Sequence, residues 1–203
     1  NAFQLKKDLE NAALSFQKAL ELKPDFSEAH INLGNIQQTR GEENAAIKSF
    51  ESALKIKPDS IQANFNLGNL LLQQGNNASA MECFNNTLEL KPDFVEALIA
   101  MGLALINQGK LDEAIATYEK AIRIKPDYAE AHFNLGFIMQ NLNRLNSSEK
   151  SYKTALSLKP DWAEAYFNLA NTLRKLKKLK ESESAYKKAI KYKSNYYEAF
   201  NNL

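Results

Sequence analysis

Asn32, Asn66, Asn134, Asn168 and Asn202 are separated by 34 residues or a multiple of 34, and Asn35, Asn69 and Asn171 each lie three residues beyond one of them. A side-chain amide offers one acceptor and two donors, so it can pair with both the N–H and the C=O of a peptide backbone. A ladder of such groups would hold an extended chain without reading its side chains, each bond contributing about 0.5–1.5 kcal/mol net. The competing role for the amides is to bond a neighbouring repeat or to stay solvated. Other residue types that could do chemistry are sparse. His30 and His132 are the only histidines, with no second ligand at helical spacing, and are read as packing residues. Cys83 is the only cysteine, so no intrachain disulfide forms, and it is read as a packed thiol rather than a nucleophile. The acid pairs Asp25/Glu28, Asp93/Glu96, Asp127/Glu130 and Asp161/Glu164 have capping-box spacing, and capping is the role expected of them.

The elements that must carry these residues follow from the prolines. All five, Pro24, Pro58, Pro92, Pro126 and Pro160, are spaced by 34 residues, the mark of a stacked array rather than one globular core. With proline at position 32 of the unit, full repeats run 27–60, 61–94, 95–128, 129–162 and 163–196, with partial repeats at 1–26 and 197–203. Apolar residues recur at helical spacing in two blocks per unit, predicting two helices at about positions 1–14 and 18–31. Small residues such as Gly34, Gly68, Gly102, Gly136 and Ala170 at position 8 let the paired helices approach closely. Gly41, Gly75 and Gly109 sit where the first helix must stop; Asn143 tolerates the same left-handed conformation, whereas Lys177 does so poorly and predicts a looser turn. At five junctions Lys-Pro-Asp ends one helix, with lysine on its negative end and aspartate expected to cap the next, and at the sixth Lys193-Ser194-Asn195 stands in its place.

This pattern resembles the tetratricopeptide repeat over the whole chain. The resemblance implies an all-α, right-handed α-solenoid of 34-residue helix–turn–helix repeats, a superhelix of antiparallel pairs whose first helices line an inner groove. The Asn-Leu pairs at positions 6 and 7 look like those in the repeats of the O-GlcNAc transferase family, in which an amide ladder grips extended substrates. No catalytic domain is present in this chain, so no catalysis carries over. The carboxylate-clamp repeats that grip acidic chaperone tails are matched only in their asparagines. Position 5 here carries no lysine and position 2 is Glu or Gln throughout.

On the first helix of each pair, positions 2, 6, 9 and 13 cluster opposite the apolar face and are expected to face the groove. The candidate peptide-binding residues are Asn32, Asn35, Asn66, Asn69, Asn134, Asn168 and Asn171, flanked by an apolar wall of Phe65, Ile99, Phe133 and Phe167 at position 5. Ala100 and Leu103 interrupt the amides beside Ile99, and Phe137 does so in the next repeat, which predicts a local apolar patch suited to an anchor side chain. The function expected is a non-enzymatic protein–protein interaction scaffold binding an extended peptide. The alternatives are the substrate-recognition arm of a larger enzyme and a scaffold that self-associates end to end. No cofactor or metal is expected.

The formal charge of +2 gives no global pull toward nucleic acid or membrane, and no apolar run approaches a membrane span. The charge is uneven: residues 163–196 hold nine Lys/Arg against three Asp/Glu, leaving the rest of the chain at −4. Arg174, Lys175, Lys177, Lys178 and Lys180 crowd one turn, a solvated surface that can also steer an acidic partner. Three glycosylation-like triplets, at Asn77, Asn85 and Asn146, are expected by chance among 22 asparagines. The chain starts and ends inside helices, so it is expected to be a fragment of a longer polypeptide, provisionally cytoplasmic.

Overall fold

The computed structural model describes the backbone of residues 2–203 and the side chains of residues 7–203. It consists of α1 (Ala2–Leu22), α2 (Ser27–Thr39), α3 (Glu43–Ile56), α4 (Ile61–Gln73), α5 (Asn77–Leu90), α6 (Val95–Asn107), α7 (Leu111–Ile124), α8 (Ala129–Asn141), α9 (Leu145–Leu158), α10 (Ala163–Lys175), α11 (Leu179–Tyr192) and α12 (Tyr197–Asn202), with no strand among the described residues. Two compact units are present, residues 1–104 and 105–203. Within the first, α2 packs on α3 and α4 on α5; within the second, α8 packs on α9 and α10 on α11.

The turn inside each helix pair is built by one device. Gly41, Gly75 and Gly109 have φ of +75°, +77° and +74°, and Asn143 and Lys177 take their place with φ of 57° and 60°. The left-handed residue donates its N–H to a carbonyl three back, and the next residue donates to one five back. Examples are Gly41 N–H to Gln38 O (3.0 Å) with Glu42 N–H to Gln37 O (2.8 Å), and Lys177 N–H to Arg174 O (3.0 Å) with Lys178 N–H to Leu173 O (2.9 Å). This is a Schellman closure, which satisfies carbonyls that the helix end leaves orphaned. The looser turn expected at Lys177 is therefore not found: the two backbone bonds hold the turn, and the lysine Cβ bears the steric cost of the left-handed region. Lys177→Gly is accordingly expected to raise stability by about 1 kcal/mol, read as a higher thermal midpoint.

The junctions between repeats depart from the expectation in one respect. Helices α2, α4, α8, α10 and α12 have Phe26, Ser60, Tyr128, Trp162 and Tyr196 as their N-caps, and only the Ser60 hydroxyl accepts a capping bond, from Ala63 N–H at 3.3 Å. Asp25, Asp59, Asp127 and Asp161 do not cap: they lie one residue too early. The reason is the turn itself. Phe26, Ser60, Phe94 and Tyr128 each donate N–H to the lysine carbonyl three residues back, at 3.2–3.3 Å. Proline and aspartate therefore fill the two central positions of a β-turn, a placement proline's fixed φ favours. Glu28, Glu96, Glu130 and Glu164 still fall in the first helical turn, where they suit the positive end of the helix.

The aromatic residue that displaces aspartate has its own partner. Lysine Nζ sits over the following ring at 5.3 Å for Lys23/Phe26, 5.1 Å for Lys91/Phe94, 5.0 Å for Lys125/Tyr128, 4.9 Å for Lys159/Trp162 and 4.5 Å for Lys193/Tyr196. A lysine three residues before the junction aromatic, in Lys-Pro-Asp-aromatic four times and in Lys193-Ser194-Asn195-Tyr196 once, thus makes a repeated cation–π turn, each pair contributing about 0.5–1 kcal/mol at exposed sites. Ser60, which has no ring, is the one N-cap that uses its side chain.

The core of each pair is one large ring on a small residue. Phe50, Phe84, Tyr118, Tyr152 and Tyr186 are at most 1% exposed. A Cβ added to Gly34, Gly68 or Gly136 would fall 2.7, 2.7 and 2.9 Å from Phe50, Phe84 and Tyr152 respectively, so these helices touch backbone to ring. In the first unit Ile31, Ala46, Phe50, Ala53, Ala63, Leu67 and Leu70 form one cluster. In the second, Phe133, Tyr152, Leu156, Leu169, Leu173 and Tyr186 belong to another. Ser148 and Ser182 donate to the carbonyls of Gly136 (2.9 Å) and Ala170 (2.8 Å), which pins the helix crossing with a buried bond.

One buried charge is fully engaged. Glu149, 7% exposed, accepts from Lys153 Nζ at 2.7 Å and from Lys178 Nζ at 2.7 and 3.0 Å. Burial alone would raise its pKa, but the two lysines outweigh burial and hold it below the usual carboxylate value. The contribution of a depressed carboxylate is complete above its unfolded pKa, about 4.3, and disappears as pH falls through the folded value. Glu149→Gln is expected to flatten the acid limb of stability against pH, measured by urea midpoints between neutral pH and the acid transition.

Candidate functional site

The candidate stripe is solvent-accessible in both units. On α2, α4, α8 and α10, positions 2, 6, 9 and 13 are all exposed or half-buried, while Leu33, Leu67 and Leu169 at position 7 are buried. In the first unit Asn32 is exposed, and Asn35, Asn66 and Asn69 are half-buried. In the second, Asn134, Asn168 and Asn171 are half-buried.

The amides are not equivalent. Asn66 Nδ2 donates to Asn35 Oδ1 at 2.8 Å, and Asn202 Nδ2 to Asn171 Oδ1 at 3.5 Å, each pair being 31 residues apart. Position 6 of one repeat thus bonds position 9 of the repeat before it when both are asparagine. Asn171 Oδ1 also accepts from Tyr186 OH at 2.5 Å. The same step of 31 sets Ala100 against Asn69 and Asn168 against Phe137, and no amide pair forms there. Asn69, Asn134 and Asn168 have no side-chain hydrogen bond among the described residues, and Asn1, the position-9 asparagine 31 residues before Asn32, lies outside the described residues. The set therefore divides into amides that tie repeats together and amides with no side-chain partner among the described residues.

The apolar wall is a different structure from the one expected. Phe133 is 9% exposed, stacked on Trp162 at 4.3 Å and tilted against Tyr152 at 5.7 Å. Phe65 is half-buried between Phe94 at 4.7 Å and Phe84 at 6.2 Å, and Phe167 between Tyr196 at 4.8 Å and Tyr186 at 5.9 Å. These rings fill the joint between repeats, because the junction aromatic needs a ring to pack on, and they leave little face to a ligand. Ile99 is half-buried. The exposed apolar side chains on the stripe are those at position 9: Leu103 is 42% exposed in the first unit and Phe137 38% in the second. Phe137 was legible as a break in the amide pattern, whereas the junction rings were missed, although an aromatic follows Lys-Pro-Asp in four repeats of five.

The remaining chemistry-bearing residues take structural positions. His30 Nε2 lies 3.0 Å from Pro24 O and His132 Nε2 2.9 Å from Pro126 O, and at the equivalent position Asn64 donates to Pro58 O at 2.9 Å. These side chains clip the junction turn to the helix that follows it. Burial first, and then the carboxylates of Glu82 and Glu51, push the Cys83 thiol up to about 11, far from a reactive thiolate. Thr87 and Ser148, the hydroxyl residues of two glycosylation-like triplets, are fully buried. Among the described residues no group of three or more His, Cys, Asp or Glu is placed to hold a metal, and no helix is long and apolar enough to cross a membrane.

Left-handed turns at fixed intervals, ring-on-glycine helix pairs and proline junctions define a helical tandem-repeat protein. The repeat is the tetratricopeptide repeat: models described as TPR repeat or tetratricopeptide repeat match residues 1–41 and 102–143, 39–106, 129–162 and 163–196, and the chain belongs to that family. Among solved structures it is similar to YrrB, a TPR protein with an unusual peptide-binding site, at 20% identity and a TM-score of 0.74 over 93% of this chain and 97% of that one. It is also similar to PilF of Pseudomonas aeruginosa, at 17% identity and a TM-score of 0.83 over 98% of this chain and 91% of that one. MamA matches at 22% identity and a TM-score of 0.73 over 82% of this chain and 97% of that one. No curated protein matches the chain in sequence.

Proposed function

We propose that the chain is a non-catalytic binding module in which the open amides hold the backbone of an extended protein segment. The observation that carries this reading is the division of the amides. Asn66 and Asn202 are used between repeats, whereas Asn69, Asn134 and Asn168 stay accessible and have no side-chain hydrogen bond among the described residues. Asparagine is a mediocre helix former, so its recurrence at positions without an internal partner points to an external one. Backbone recognition supplies general affinity; Leu103 in the first unit and Phe137 in the second are apolar anchors that set preference for the segment's side chains. YrrB, whose fold this chain shares, is described as binding a peptide, which is consistent with the reading.

A second reading has the repeats serving as the recognition arm of a larger enzyme, favoured by the Asn-Leu pairs that resemble the O-GlcNAc transferase family. It uses the same amides and the same ligand chemistry. Both readings are tested by probing an array of extended peptides with the purified chain and then titrating the strongest hit. Saturable binding that weakens on loss of the open amides is the expected result. Binding only to further copies of the chain, seen as concentration-dependent light scattering, would favour end-to-end assembly instead.

A further inference from the structure

Five equivalent positions around the turn inside each helix pair change character in one repeat. Gln140, Asn141, Asn143, Arg144 and Asn146 around the α8–α9 turn become Arg174, Lys175, Lys177, Lys178 and Lys180 around the α10–α11 turn. Lys178 is committed to Glu149. Arg174, Lys175, Lys177 and Lys180 are exposed and form no ion pair among the described residues. Lys177 is the telling member. It holds φ at 60° in a turn that is otherwise closed by glycine or asparagine. A lysine there costs stability that glycine would recover, and it lies within the charge cluster.

We propose that the α10–α11 turn is a docking surface for an acidic, Asp/Glu-rich segment of a partner protein, and that Lys177 is kept in a strained conformation because its charge belongs to that surface. Charge complementarity names the occupant. Most of the cations are lysines, compact point charges on flexible stems that can follow carboxylates spread along a segment and need no planar, bidentate partner. No aromatic residue lies on the turn itself to offer bases a platform: Tyr186 is 1% exposed, and Tyr166 and Tyr192, stacked on each other at 5.7 Å, lie toward the opposite ends of α10 and α11. This surface does not depend on the amide reading, since neither its residues nor the variants below include an asparagine of the stripe.

The test uses a fluorescein-labelled, 15-residue Glu-rich peptide and its Gln-substituted neutral counterpart, read by anisotropy on the full chain. The acidic peptide is expected to bind and the neutral one not. Affinity should fall at least about tenfold as ionic strength rises from about 0.01 to 0.15 M, where the Debye length shrinks from about 30 to 8 Å. Lys177→Gly is expected to raise the thermal midpoint and weaken the acidic peptide about threefold; Arg174→Gln with Lys180→Gln should weaken it about tenfold with the thermal midpoint unchanged. Four results would overturn the proposal. They are equal binding of the neutral peptide, no binding of either, full affinity in Lys177→Gly, or tighter binding of duplex DNA or phosphatidylserine vesicles offered as competing probes.

Discussion

Phe84→Ala lowers stability by about 3–5 kcal/mol, read as a fall in the urea midpoint of the first unit. Phe84 is completely buried, and its ring packs directly against Gly68, with Cys83 Cβ beside it. Truncation leaves a ring-sized cavity, and the surrounding helices relax only partly around it. The reciprocal change is also destabilising: in Gly68→Ala the new Cβ would stand 2.7 Å from the Phe84 ring, a distance that forces either the ring or the helix to move. The two changes couple. Combining Gly68→Ala with Phe84→Leu should cost less than the sum of the single variants, because the smaller side chain gives the methyl room. The last full repeat already accommodates a methyl at this position, Ala170 being fully buried in the core that contains Tyr186. If the costs instead simply add, the close approach is not what makes Gly68 necessary.

Replacing the open amides Asn134 and Asn168 of the second unit together by alanine is expected to weaken an array-selected extended peptide by about 2 kcal/mol, at roughly 1 kcal/mol for each bond, or about thirtyfold in Kd. The thermal midpoint should hold or rise, since alanine is the better helix former. Asn66→Ala should behave differently. Its Nδ2 bond to Asn35 is a tie between repeats, so its loss should register in stability as well as in binding. Leu103→Ser and Phe137→Ser should change which peptides bind more than how tightly the set binds. Isothermal titration together with thermal melts of wild type and variants checks all three statements. Equal affinity in the double variant would make the amides bystanders, and a lowered midpoint would make them structural throughout.

How much of this was legible in the sequence depends on the range of the interaction. The 34-residue period, the helix pairs, the left-handed turn positions and the small residues facing large rings were readable because each is a local requirement repeated at every unit. Proline cannot continue a helix, glycine closes a Schellman turn, and a pair of helices in close contact needs one small partner. Lys177 shows the limit of even this local logic: propensity argued for a looser turn, but two backbone bonds fixed the same geometry at φ 60°. The junction aspartates show it again, because a proline-directed β-turn took the aspartate that a capping box would have needed and moved the cap to the following residue, an aromatic or Ser60. What only the tertiary structure decided are contacts between side chains of different repeats. Asn66 reaches Asn35 across 31 residues, Lys178 reaches Glu149 across 29, and Phe133 stacks on Trp162 at the next junction. The sequence places each of these residues on a helix, but which neighbour a side chain meets depends on how one repeat is rotated against the next. That rotation is set by the packing of many side chains at once, so an amide that grips a ligand and one that ties two repeats look the same until the repeats are stacked.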